Sequence, residues 1–254
     1  MRVFKLGKAP ARPGAVKFRF GAFFDPRKLP KPPARFGHYA VGSPWGVLGN
    51  NDHSCCVFSG AAHEAMVWGH EAGGPSPLFN DNGVLADYAA VTGFDPARPE
   101  TDQGTDMQAA ASYRRKVGIV DAAGGRHKID SYVALRPGAA SDLALATYLT
   151  GCAGVGLRFP SSAWTQFDDA EPWQVVPGSE FDGGHYVPCV GRNSNGDFLI
   201  VTWGRIHAMS PEFYEAFCDE AVAYVSLDIL GARGVSPEGF AADDLRKYLG
   251  ALAH

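Results

Sequence analysis

The sequence predicts an α+β protein, because its apolar spacing is helical through the first half and alternates like strands through much of the second. Two further observations support this. The 31 glycines and 18 prolines of the 254 residues mark a loop-rich chain, and an apolar content of 46% is enough for a sizeable core. The length suits one domain built from two lobes.

Taken in order, residues 1–45 read as an extended arm. Prolines at 10, 13, 26, 30, 32, 33 and 44 forbid a long helix. Phe18, Phe20, Phe23, Phe24 and Phe36 give the arm apolar surface to bury, so it is expected to lie across the body. A propeptide or a partner-binding arm is the alternative. A buried helix is predicted from near Ser54 or Cys55 to His70, broken by Gly73-Gly-Pro-Ser-Pro77. The Asp81-Asn82-Gly83 turn then leads to a helix over 84–92, stopped by Gly93 and Pro96. Another helix is expected over 107–116, ended by Gly118. The helical lobe thus covers about 46–125.

The second lobe, about 126–228, starts with a strand over 129–135 and a helix over 141–150 capped by Ser141. Strands follow over 154–159 and 185–190. The Gly191-Arg-Asn-Ser-Asn-Gly196 turn returns the chain into a strand over 197–203, and residues 224–226 add one more. Residues 229–254 read as a linker and a terminal helix over 241–252.

The stretch Leu48-Gly-Asn-Asn-Asp-His-Ser-Cys-Cys-Val-Phe-Ser-Gly-Ala-Ala-His63 carries the chemistry. It places Cys55 and Cys56 in the first turn of a helix, where unpaired N–H groups and the positive dipole end favour a thiolate. Asn50 supplies an amide six residues ahead of Cys56, and Gly183-Gly-His185 supplies a distant imidazole. These are the parts of a cysteine nucleophile site.

Charge and composition narrow the function. A net charge of −4 and a pI near 6.0 argue against a nucleic-acid surface. No apolar run reaches the ~18 residues of a membrane span, and the N-terminus lacks the apolar core of a signal peptide. Five cysteines, an odd number in a chain of this size, read as mostly free thiols in a reducing compartment.

The order of features resembles the papain-like cysteine peptidase fold. It runs Cys56, Gly104-Thr105, Tyr113 to Gly118-Ile119, Tyr132-Val133, Leu143 to Leu149, Val155-Gly-Leu157, His185, Val190-Gly191 and Thr202-Trp203-Gly204. The resemblance covers roughly residues 45–228. The Cys56–His185 separation is close to the ~130–150 residues typical of that family. The chain is similar in particular to uncharacterised papain-like proteins of bacteriophages and actinobacteria. The shared marks are the Gly-Asn block before the cysteines, the Thr101-Asp-Gln-Gly-Thr105 loop and the Val201-Thr-Trp-Gly204 strand.

The resemblance implies a two-lobe fold, one lobe helical and the other an antiparallel β-barrel-like lobe, with a cleft between them. It implies a cysteine-nucleophile hydrolase, peptidase- or amidase-like, with no cofactor and no metal. In it Cys56 attacks, His185 moves the proton, and Asn50 with the Cys56 N–H binds the oxyanion. Cys55 is the rival nucleophile, because Cys55-Cys-Val-Phe58-Ser59 matches the family's Cys-x-x-Phe-Ser; counting back six residues from it reaches Gly49, which has no amide. Both cysteines also fit as small core residues.

The departure is Val201, which stands where the family has the Asn that orients the histidine. Thr202 is adjacent, and on a strand its side chain is expected to face the other way; Trp203 is expected to cover the imidazole. The missing orienter leaves open a non-catalytic phage or virion protein using this fold for binding, with structural partners met through the arm. The expected partners are otherwise a peptide or protein substrate, with neither nucleic acid nor membrane. The expected location is the bacterial cytoplasm or a virion. His63-Glu-Ala-Met-Val67 lacks the second His of a zinc-peptidase motif, and His53, Cys55, Cys56 and His63 match no standard zinc spacing.

Overall fold

The computed structural model describes residues 4–20, 30–226 and 229. The expected terminal helix over 241–252, and Phe23 and Phe24 of the arm, lie outside the described residues.

Helix α1 (Cys56–Glu71) is the central element. Every residue from Cys56 to Trp68 is buried, so it is a core helix and not an amphipathic surface one. Its N-cap residue, Cys55, makes no side-chain cap. The chain ahead of it is held instead by Asp102, whose two carboxylate oxygens accept from the Ser54 N–H at 3.0 and 3.1 Å. Helix α2 (Asp81–Thr92) starts three residues earlier than the sequence suggests, because Asn80 caps it by accepting from the Gly83 N–H. Helix α3 (Met107–Lys116) is capped by Asp106.

The remaining elements, apart from the short 3-10 helix Pro99–Thr101, are the strands and the helices that follow or accompany them. They are β1 (Phe36–Gly37), the small hairpin β2 (Ile119–Val120) and β3 (Arg126–His127), β4 (Ser131–Ala134), and α4 (Ala140–Thr150). There follow β5 (Ala153–Pro160), α5 (Ser162–Asp168), β6 (Phe181–Arg192), β7 (Phe198–Thr202), β8 (Arg205–Met209), α6 (Pro211–Phe217) and β9 (Cys218–Val225). Ser141 does not cap α4 as expected. Ala139 is its N-cap, with no side-chain bond, and Ser141 lies inside the first turn.

The main sheet is antiparallel, in the order β4-β9-β5-β6-β7-β8, with β1 added on β6. Its two faces look into different cores. Tyr186, Val201, Val222 and Tyr224 join the core around α1. Val187, Cys189, Ile200, Ala221 and Ala223 join the core under α4, α5 and α6. The alternation of side chains along each strand divides them in this way. The antiparallel sheet beside a helical layer is the expected α+β, two-lobe papain-like architecture.

The two layers meet closely where Gly60 of α1 faces Tyr186 of β6; a Cβ on Gly60 would stand 2.5 Å from the Tyr186 ring. A buried polar cluster ties them further. Glu64 of α1 accepts from the Tyr186 hydroxyl and from Arg114 of α3, and Arg114 lies 4.2 Å from the Tyr224 ring centroid. Removing the guanidinium strands a carboxylate in the core. We therefore expect Arg114→Met to cost about 3–5 kcal/mol, read as a lowered urea midpoint with an unchanged m-value. A loss below about 1 kcal/mol would mean the pair behaves as a solvated one.

Candidate active site

The site lies where the start of α1 meets β6. Cys56 is the first residue of α1, 2% exposed. Its thiol lies near the backbone of Tyr186 and of Gly7, so it faces β6 and the N-terminal arm. Cys55 turns away from that junction. Its Sγ lies 3.6 Å from the Leu48 carbonyl oxygen and 3.4 Å from Ser59 Oγ, as a packed core thiol would.

His185 sits in β6, immediately before Tyr186, and is buried on the opposite face of the strand. Its Nε2 is 2.8 Å from Thr202 Oγ1, and its Nδ1 has no hydrogen-bond partner among the described residues. This corrects the expectation that Thr202 faces away from the histidine. Side chains do alternate along β7, but Val201 is the residue that points into the α1 core. Thr202 therefore shares the face of Ile200, which is the face His185 occupies.

Trp203 closes the site. Its φ of 43° takes the chain out of β7 in a left-handed conformation. Its ring stacks on His185 with centroids 4.4 Å apart and planes 16° apart. Trp164 stacks on the same indole at 4.8 Å. Asn50 is buried in the loop ahead of α1, where its Nδ2 donates to the His53 carbonyl at 2.9 Å. One amide hydrogen of Asn50 is then left over, without a protein partner among the described residues.

The arm was not expected here: residues 4–9 run through the site itself. The Lys5 N–H donates to the Asn50 carbonyl, and the Gly7 and Lys8 N–H groups both donate to the Gly184 carbonyl at 3.0 Å. On the other wall the Thr105 N–H donates to Gly7 O at 2.7 Å, and the Ala9 N–H donates to Thr105 O at 2.9 Å. The Phe4 ring stacks on Trp203 at 5.3 Å. Three glycines permit the close fit. A Cβ would stand 2.0 Å from Ser54 O on Gly7, 2.3 Å from Gly7 O on Gly104, and 2.2 Å from Lys8 O on Gly184. The sequence signal for this was slight: Gly7 sits in a short tract with no period.

Burial by the arm also overturns the expected thiolate. Loss of water pushes the Cys56 thiol up to about 12, against the opposing backbone hydrogen bonds and the nearby Lys8 charge. The same loss of water takes His185 down to about 3. The helix-start field favours negative charge, but desolvation is the larger effect here. In this form the thiol is protonated and the imidazole is uncharged.

Of the zinc-like residues, His63 is taken by the carbonyls of Trp45 and Gly46, at 3.1 and 3.0 Å from Nε2. No group of three or more metal-ligating side chains gathers among the described residues, and no described helix is long and apolar enough to cross a membrane.

No protein-family model matches the chain, and no curated protein matches it either. Solved structures do. Xylellain, a cysteine protease from Xylella fastidiosa, superposes with a TM-score of 0.62 at 14% identity, covering 89% of this chain and 97% of that one. Procathepsin B S9 from Trypanosoma congolense gives 0.56 at 11% identity over 89% of this chain and 84% of that one. The bromelain protease from Ananas comosus, solved with the E64 inhibitor, gives 0.54 at 13% identity over 76% and 99%. The fold is therefore that of the papain-like cysteine proteases.

A nitrogen-15 NMR titration of the imidazoles checks the buried pair. His185 is expected to remain neutral from pH 8 down to pH 5, since its folded-state pKa lies well below the ordinary 6.5. Protonation near pH 6.5 would mean that water reaches the ring.

Proposed function

We propose that the chain is a thiol hydrolase of peptide or related amide bonds, held closed by its own residues 4–9. The observation that carries this reading is the His185 imidazole, braced at Nε2 by the Thr202 hydroxyl and bare at Nδ1. It stands next in the chain to Tyr186, whose backbone lies near the Cys56 thiol.

Once the arm leaves, water returns to both groups. The helix-start N–H groups and dipole then favour a thiolate, and the imidazole accepts the proton at Nδ1. Cys56 Sγ attacks the scissile carbonyl carbon. The oxyanion that forms takes hydrogen bonds from the Cys56 N–H and the spare Asn50 amide hydrogen. His185 gives its proton to the leaving amine, and the thioester is then cleaved by water that His185 deprotonates. Thr202 holds the ring, and Trp203 keeps water off its face.

The case for a non-catalytic protein began with the lack of an orienting group at Val201. A Thr202 hydroxyl at 2.8 Å weakens that case. A hydroxyl accepts a hydrogen bond less strongly than an amide oxygen, so it supports the imidazolium less well. Partner binding through the arm is also less favoured, because residues 4–9 are spent on the chain's own cleft.

The test is iodoacetamide alkylation of Gly7→Ala protein, with labelled cysteines mapped by peptide mass spectrometry. A Cβ at Gly7 is incompatible with Ser54 O at 2.0 Å, so the substitution expels the arm. Cys56 is expected to react at least about tenfold faster than in the wild type below pH 7, Cys55 is expected to stay slow, and His185→Ala in the same background is expected to cancel the gain. Labelling that rises only near pH 8.5 and ignores His185 would mean a papain-like fold without the chemistry.

A further inference from the structure

Lys8 is the residue of the arm that is most fully accommodated. Its side chain has no exposed surface, although it ends in a charge. The Nζ lies 3.0 Å from each carboxylate oxygen of Asp219 and 3.2 Å from Glu220 Oε1. Both acids stand at the start of β9, and both reach the Lys8 Nζ. The stem runs over Gly156 of β5, where a Cβ would stand 2.2 Å from Lys8 Cε and 2.8 Å from Met107 Sδ. The cleft wall thus has a slot shaped for an unbranched chain, floored by a glycine and a thioether and ended by two carboxylates.

Two adjacent acids, each less than one-fifth exposed, repel one another and lose hydration unless a cation joins them. Burial raises the Glu220 pKa, and the Lys8 charge acts against that rise. When the arm withdraws, the slot opens with its charge uncompensated. We propose that this slot is a substrate subsite selecting a basic side chain, lysine or arginine, in the peptide that replaces the arm. The selection rests on the reading that the arm occupies the substrate cleft, but it does not depend on Cys56 being reactive.

Binding is therefore the readout. The full chain carrying Gly7→Ala, to expel the arm, with Lys8→Ala and Cys56→Ala is titrated calorimetrically with capped tripeptide amides that differ only in a central Lys, Arg, Leu or Glu. The Lys or Arg peptide is expected to bind at least about tenfold tighter than the Leu peptide. Asp219→Asn with Glu220→Gln is expected to remove the difference. Equal affinity for Lys and Leu, or no binding by any of them, overturns the proposal. Binding with the stated preference, but no turnover of the same peptides by Gly7→Ala protein, would keep the subsite and reject the hydrolase reading.

Because Lys8→Ala leaves the acids bare, its folding is followed in parallel. n-Butylammonium is expected to raise its melting temperature or its refolding yield, and n-butanol and butyrate are not. An equal effect of n-butanol would reduce the slot to an apolar cavity and overturn the charge selection.

Discussion

The close approach of α1 to β6 is the constraint on which the rest depends. Gly60 lets the helix lie against Tyr186 with no side chain between them, and Glu64, one turn on, fixes that contact through the Tyr186 hydroxyl and Arg114. Tyr186 and His185 are neighbours on one strand and point to opposite faces. Anchoring Tyr186 to the helix thus sets the position of His185 relative to the helix start, where Cys56 sits. Asp102, which holds the Ser54 amide, fixes the same helix end from the other side. The distance between the two chemical groups is therefore controlled by core packing and not by a flexible loop.

Residues 4–9 then decide which state the pair is in. The arm bonds both walls of the cleft through its backbone, through Gly184 on one side and Thr105 on the other. It covers the indole with Phe4 and neutralises the acidic slot with Lys8. With water excluded, the cost of charging a thiol or an imidazole exceeds what the helix dipole and the nearby backbone return. On the proposed reading, the same residues are inert with the arm seated and suited to proton transfer without it.

Much of the candidate site was legible because its members sit at boundaries that sequence marks locally. Cys56 follows a polar, glycine-containing loop, Asn50 lies in that loop, and His185 follows paired glycines. Thr202 was harder. Its role depends on which face of β7 meets His185, and a family pattern counted back from Trp203 lands on Val201 instead. The arm's course through the cleft was not legible, since it rests on backbone bonds and glycine contacts that leave no periodic trace. The helices α5 and α6 have seven residues each, too few for a helical period to show. α6 nonetheless carried a readable start in Ser210-Pro211, whose serine accepts from the Phe213 N–H.

The most direct test of this account is native-state hydrogen exchange of the backbone amides of Gly7, Lys8, Ala9 and Thr105 in the unmodified chain. A seated arm predicts that all four are protected together, and that Gly7→Ala releases them together while α1 and β6 stay protected. Exchange of the Gly7 and Lys8 amides at the rate of an unstructured peptide would contradict it, because the cleft would then be open and the buried, neutral pair would not exist.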